Sequence, residues 1–162
     1  MVAATDADAR ASLRAAFGGE GPHALRKWYT ALASPGLREQ GEWTMHFGSR
    51  YARSAKVTAS REGEDASRGT CRWRILGTVR TRVGESHGRE QELDLLEVEL
   101  VGPGRRHQIR AGFAALGHPL AGDSLYGGAV IEGRGEGRPA LHATRLEVDG
   151  LSITAPLPAW AR

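Results

Sequence analysis

Cysteine occurs once in this chain of 162 residues, at Cys71. One thiol excludes an internal disulfide. With only six scattered histidines it also argues against a structural zinc site, whose ligands come paired at short spacing. No apolar run approaches a membrane span, and the start lacks the apolar stretch of a signal peptide, so a soluble cytoplasmic protein is expected. The phosphate loop GxxxxGK[ST], the HExxH zinc helix and the GxSxG elbow do not occur, which leaves nucleotide-triphosphate hydrolysis, zinc proteolysis and esterase chemistry without support. Lysine is almost missing: Lys27 and Lys56 stand alone, and the other twenty basic residues are arginine. Arginine forks onto phosphates and stacks on bases. A GC-rich coding sequence would favour it equally, so a net charge of +3 supports an anionic partner only weakly. With 40% hydrophobic and 25% charged residues, the chain can bury a core and has the size of one domain, residues 1–162.

Hydrophobic periodicity places a first helix over residues 5–17, with Thr5 as N-cap, Ala9, Leu13, Ala16 and Phe17 as its apolar stripe, and Gly18-Gly19 as its stop. Residues 26–33 alternate as a strand, with Trp28, Thr30 and Leu32 on one face and Tyr29 and Ala31 on the other. Residues 42–45 and 55–59 are short strand candidates. Residues 70–81 form a longer strand, with Cys71, Trp73 and Ile75 on one face. Residues 91–101 give the clearest strand; its apolar phase slips between Leu95 and Leu96, which implies a bulge or burial of both faces. A second helix spans residues 106–116, with Ile109, Phe113 and Leu116 inward and Gly117 closing it. Residues 141–148 turn at Asp149-Gly150 into 151–154 as a hairpin. Residues 61–69, 84–89 and 127–138 read as surface loops, and the Gly/Arg-rich composition of the last suits a mobile one. These elements predict an α+β domain: a mostly antiparallel mixed β-sheet flanked by a few helices.

Arg110 falls beside the Ile109/Phe113 face of the second helix, where a guanidinium is half buried and calls for a carboxylate. Arg105 and Arg106 sit at the helix start, where unsatisfied N–H groups favour an anion. The plain alternative is a solvated basic turn making surface ion pairs. Asp123, between Gly122 and Ser124, reads as a turn-capping side chain, with Gly117, Pro119 and Gly127 as further turn residues. His107 and His118 read as hydrogen-bonded structural residues rather than acid/base groups. By pattern alone, Tyr29 is core or cross-strand packing.

From Gly104 to Gly127 the chain reads GRRHQIRAGFAALGHPLAGDSLYG. This segment resembles the motif of RluA-type RNA pseudouridine synthases. Residues 27–32 (KWYTAL) are similar to the family's Lys-x-Tyr-x-Ala-Leu segment. Residues 2–17, the 91–100 strand, Leu141-His142-Ala143 and Ala155-Pro156 follow in the family's order. The resemblance implies isomerisation of uridine in a structured ribosomal or transfer RNA, without metal or cofactor. An aspartate attacks the nucleotide, the glycosidic bond breaks, and the uracil turns and rejoins through carbon. It further implies that Tyr29 lies against the target base and takes part in proton removal, and that Arg110 pairs with the nucleophile. Lys27, Arg105, Arg106, His107 and Gln108 are then expected on the RNA side.

The family's His-Arg-Leu-Asp string, which carries the nucleophile, does not occur. Counting back from residues 2–5 places it just before Met1. Asp6, Asp8, Asp65, Asp94, Asp123 and Asp149 do not match its context. Pro103 and Arg106 stand where threonines are usual, and Gly112 where histidine is common. Three explanations stay open: a catalytic domain incomplete at its N-terminus, a non-catalytic RNA-binding relative or fragment, or a substitute aspartate. An incomplete domain is expected to leave sheet edge and apolar surface uncovered.

Overall fold

The alternation at Trp28, Tyr29 and Thr30 forms strand β1, Leu25–Ala33, near the middle of a long antiparallel sheet. The computed structural model describes residues 6–18, 25–49, 55–84, 88–148 and 150–162. The remaining strands are β2 (Gln40–Gly48), β3 (Thr58–Ser60), β4 (Arg68–Val83), β5 (Arg89–Val101), β6 (Leu141–Val148) and β7 (Leu151–Thr154). They form one seven-stranded sheet in the order β3-β2-β4-β5-β1-β6-β7, and each described pairing is antiparallel. Helices α1 (Ala7–Gly18) and α2 (Gln108–Ala115) complete the α+β architecture. The expected cap at Thr5, stop at Gly19 and turn residue Asp149 lie outside the described residues. Within α1, Ala16 is buried, whereas Phe17 is 41% exposed rather than part of an inward stripe.

One face of the sheet holds the main core. Ala31 and Ala33 of β1, Trp43, Met45 and Phe47 of β2, Cys71 of β4, and Leu96, Val98 and Leu100 of β5 pack against Ile109 and Phe113 of α2. Phe113 is fully buried and meets Trp43 and Trp73 edge-on, with ring centroids 6.3 and 5.8 Å away. A second core uses the opposite face near the far end of the β4–β5 pair: Leu32, Val83 and Leu93 with Ala121, Ile131 and Ala140.

These two cores explain the phase slip read in β5. Its alternation is regular: Leu93 and Leu95 face the second core, and Leu96, Val98 and Leu100 the first. The extra residue lies in the partner strand. Ile75 pairs with Leu96 and Gly77 with Leu95, so Leu76 bulges outward and is 47% exposed. One added residue flips β4 so that its apolar side chains follow β5 from one core to the other.

Loop 127–138 is held rather than loose. Ile131 bridges to Val83 and is 4% exposed, and the Arg134 guanidinium lies 5.3 Å over the Trp160 ring. At the sheet edge, β7 presents Leu151 at 60% and Ile153 at 45% exposure. Four of the arginines lie on the sheet in close ion pairs with glutamate: Arg26–Glu99 at 2.8 Å, Arg72–Glu42 at 2.6 Å, Arg74–Glu97 at 2.9 Å and Arg80–Glu92 at 2.8 Å. Such exposed pairs add little stability, but they occupy arginines that composition alone could assign to an anionic partner.

Gly112 is fixed by packing. A Cβ there would run into the indole of Trp43. Trp43 thus fills the space that a side chain at position 112 needs. Gly112→Ala is expected to cost about 1–3 kcal/mol through overpacking, despite the better helix propensity of alanine. Urea unfolding checks this; a variant as stable as the parent would show that Trp43 can move aside.

Candidate active site

Tyr29 of β1 and Arg110 of α2 open onto the same cavity of about 210 Å³, which is also lined by Leu100, Arg105, His107, Gln108, Ile109 and Leu141. Sequence positions about eighty residues apart meet because β1 pairs with β5, and the turn after β5 leads into α2. A second cavity of about 300 Å³ also touches Tyr29, with Phe17, Lys27, Ala143, Leu146 and Ile153 among its walls. Tyr29 belongs to both. Burial raises the pKa of its phenol, with Cys71 adding to the shift, so the hydroxyl is protonated at neutral pH.

The helix begins later than its apolar pattern implies. His107 takes a left-handed backbone, φ 54°, and α2 starts at Gln108. Gln108 is 2% exposed. Its Oε1 accepts the Arg105 N–H at 2.8 Å, and its Nε2 donates to the Thr70 carbonyl at 3.0 Å. Its amide therefore ties the turn to β4 from behind the surface, and answers a backbone donor that the sequence pattern would leave to an anion. Arg105 is partly exposed, with Nε donating to the Arg68 carbonyl at 3.1 Å, and Arg106 is exposed. Lys27 is 6% exposed, with Nζ 5.6 Å from the Phe17 ring, and burial lowers its pKa. Arg134 donates to the Pro139 carbonyl at 3.4 Å within its own loop.

Asp123 corrects the turn-cap reading. Its side chain makes no capping bond. It is fully buried and accepts from Arg110 Nε and Nη2, both at 2.7 Å. The backbone alone makes the turn, with the N–H groups of Tyr126 and Gly128 donating to the Asp123 carbonyl at 3.0 and 2.8 Å. Arg110, whose side chain is 17% exposed, thus finds its carboxylate inside this chain. His107 and Tyr126 extend the cluster: Arg110 Nη1 lies 3.2 Å from His107 Nε2, and His107 Nδ1 lies 3.1 Å from the Tyr126 hydroxyl. His118, as expected of a structural histidine, places Nδ1 3.1 Å from the Ser34 carbonyl. Among the described residues no group of three or more His, Cys, Asp or Glu side chains is arranged to hold a metal ion.

The sheet and its helices match solved structures of pseudouridine synthase domains. Human RNA pseudouridylate synthase domain containing 1 superposes with a TM-score of 0.63 over 95% of this chain and 61% of that one, at 23% identity. Human RNA pseudouridylate synthase domain containing 4 gives 0.60 over 95% and 63%, at 16% identity. The fold is therefore that of a pseudouridine synthase domain. In sequence, the chain is 35% identical over 142 residues to the uncharacterized RNA pseudouridine synthase YhcT of Bacillus subtilis (strain 168), covering 83% of this chain and 42% of YhcT. It is 40% identical over 73 residues to ribosomal large subunit pseudouridine synthase D of Haemophilus ducreyi, covering 35% of this chain and 22% of that protein. No family model matches. The chain is homologous to the RluA-type RNA pseudouridine synthases and spans less than half the length of these relatives.

Proposed function

We propose that these residues form the base- and RNA-binding part of an RNA pseudouridine synthase acting on a structured ribosomal or transfer RNA. The attacking aspartate would be supplied by polypeptide outside this sequence. The observation that carries this reading is the convergence of Tyr29 and Arg110 on one cavity beside the Arg105-Arg106 turn. The cavity offers an aromatic ring for a uracil flipped from its stack and a fixed guanidinium for the carboxylate that attacks the sugar. Phosphates of the flanking backbone would meet Arg105 and Arg106.

A second reading, an RNA-binding relative that does not catalyse, is favoured by one observation. No described aspartate lines the Tyr29/Arg110 cavity. Asp123 is buried against Arg110, and Asp94, 6% exposed, accepts the Leu37 N–H at 3.2 Å. Residues 1–162 alone are therefore expected to show no isomerisation when incubated with ribosomal RNA and transfer RNA and assayed by carbodiimide labelling. The same assay on a polypeptide that adds a His-Arg-Leu-Asp segment encoded upstream separates the readings: turnover supports the synthase, and none supports the binding relative. Robust turnover by residues 1–162 would overturn the assignment of the nucleophile.

RNA binding is expected to survive without chemistry. Replacing Arg105 and Arg106 together by glutamine should reduce the slope of log affinity against log salt by roughly 1–2 units, near one per phosphate contact. The loss should be similar across RNA sequences, because phosphate contacts position rather than specify. Titrations at several salt concentrations check this; an unchanged slope removes both arginines from the interface.

A further inference from the structure

The hydrogen-bond geometry behind the cavity admits one consistent assignment of protons. The Tyr126 hydroxyl accepts the Val57 N–H at 2.9 Å and donates its single proton to the Val57 carbonyl at 3.1 Å. It has nothing left to donate to His107, so His107 Nδ1, 3.1 Å away, must carry a proton and donate to the tyrosine oxygen. Nε2 is then the bare ring nitrogen and accepts from Arg110 Nη1 at 3.2 Å. Arg110 Nε and Nη2 are taken by Asp123. The left-handed backbone of His107, φ 54°, turns the ring into this position, and the Arg110 guanidinium carbon lies 5.1 Å over the Tyr126 ring.

We infer that Asp123 and His107 are positioning residues that grip Arg110 by three of its five N–H donors and leave one on each terminal nitrogen for a second carboxylate entering the cavity. The inference rests on the proposed synthase reading in one respect: that second carboxylate is the attacking aspartate. Asp123 is too buried to attack anything; its part is to hold the guanidinium at a fixed angle before the nucleophile arrives. A neutral His107 fits its surroundings. Burial lowers its pKa, the Arg110 and Arg106 guanidiniums lower it further, and only the Asp123 carboxylate opposes them. Arg110 cannot turn without breaking contacts on three sides, so a carboxylate docking on it meets donors already aligned.

Nitrogen-15 NMR of residues 1–162 tests the grip without any need for catalysis. The expected result is a slowly exchanging Arg110 Nε–H, a His107 ring in the Nδ1–H form, and a His107 titration midpoint below the ordinary value near 6.5. Asp123→Asn should speed exchange of the Arg110 Nε–H. If that variant fails to fold, His107→Asn serves instead, since asparagine tolerates the left-handed backbone; it should keep the slow Nε–H and free rotation about the Nη1 bond. Formate, as the carboxylate probe, should shift the Arg110 Nη resonances in the parent chain. A His107 ring in the Nε2–H form, or fast Nε–H exchange in the parent, overturns the grip, and no response to formate overturns the second seat. In a polypeptide with turnover, His107→Asn should lower kcat by up to about 10²-fold with little change in KM, as expected of a misaligned catalytic group. An equal loss through KM alone would overturn the positioning role. If the NMR results hold and no polypeptide isomerises uridine, the grip stands and the synthase reading falls.

Discussion

Asp123→Ala is expected to be among the most damaging single substitutions in this chain, costing about 3–5 kcal/mol of folding stability. The carboxylate is fully buried and receives two 2.7 Å bonds from Arg110. Its removal leaves a guanidinium, itself only 17% exposed, facing a void with no countercharge. The backbone turn at Asp123 does not depend on the side chain and should survive, so the loss reports the ion pair rather than the loop. Partial access of water to Arg110 places the expected value near the lower end of that range. Replacing both partners, as in Arg110→Met with Asp123→Leu, should recover much of the loss, because a pair that desolvates together often adds little over apolar packing. Urea unfolding of the three proteins decides the matter. A loss below about 1 kcal/mol for Asp123→Ala would fall in the range of exposed pairs and show that solvent screens Arg110.

Arg110 was legible from the sequence through helix geometry alone. A guanidinium bordering the Ile109/Phe113 face needs a carboxylate, and it has one. Asp123 reads as a turn cap because it sits among Gly122, Ser124 and Gly127, a composition that signals a turn and hides a buried charge. Nothing local in the sequence brings residue 123 back onto residue 110; the loop geometry after α2 does that. Gln108 shows the same limit. A polar residue at a helix start reads as exposed, yet the open backbone donor of Arg105 and the Thr70 carbonyl draw it inside.

Strand periodicity was more informative. β4 and β5 were legible because apolar and charged side chains alternate along them, and β1 because Trp28, Leu32, Tyr29 and Ala31 alternate between its faces; even the anomaly at Leu95/Leu96 was visible. The bulge itself could not be placed, since a slip in one strand and an extra residue in its partner leave the same trace until register is known. Gly112 was legible only as a departure from a familiar pattern. Its reason lies in Trp43 on β2, far away in the chain.

In a polypeptide that carries the attacking aspartate, Arg110→Ala should lower kcat by about 10³-fold or more, comparable to or beyond the loss of a single preorganised donor to a reacting charge. Arg110→Lys should rescue poorly, because a point charge cannot both fill the side-on seat against Asp123 and present two parallel donors outward. Tyr29 separates into two contributions. Tyr29→Ala removes the ring from the junction of the two cavities and should silence turnover and weaken RNA binding together. Tyr29→Phe keeps the ring and removes only a hydroxyl whose raised pKa leaves it protonated near neutrality. If Tyr29 serves mainly as a surface for the flipped base, the phenylalanine variant should retain substantial kcat. If the phenol moves a proton, kcat should fall about 10²–10⁴-fold with RNA affinity unchanged. Single-turnover rates on one structured RNA, measured beside equilibrium binding, distinguish the two. Near-normal turnover in Arg110→Ala would remove that residue from the chemistry altogether, and with it the convergence of Tyr29 and Arg110 on which the synthase reading stands.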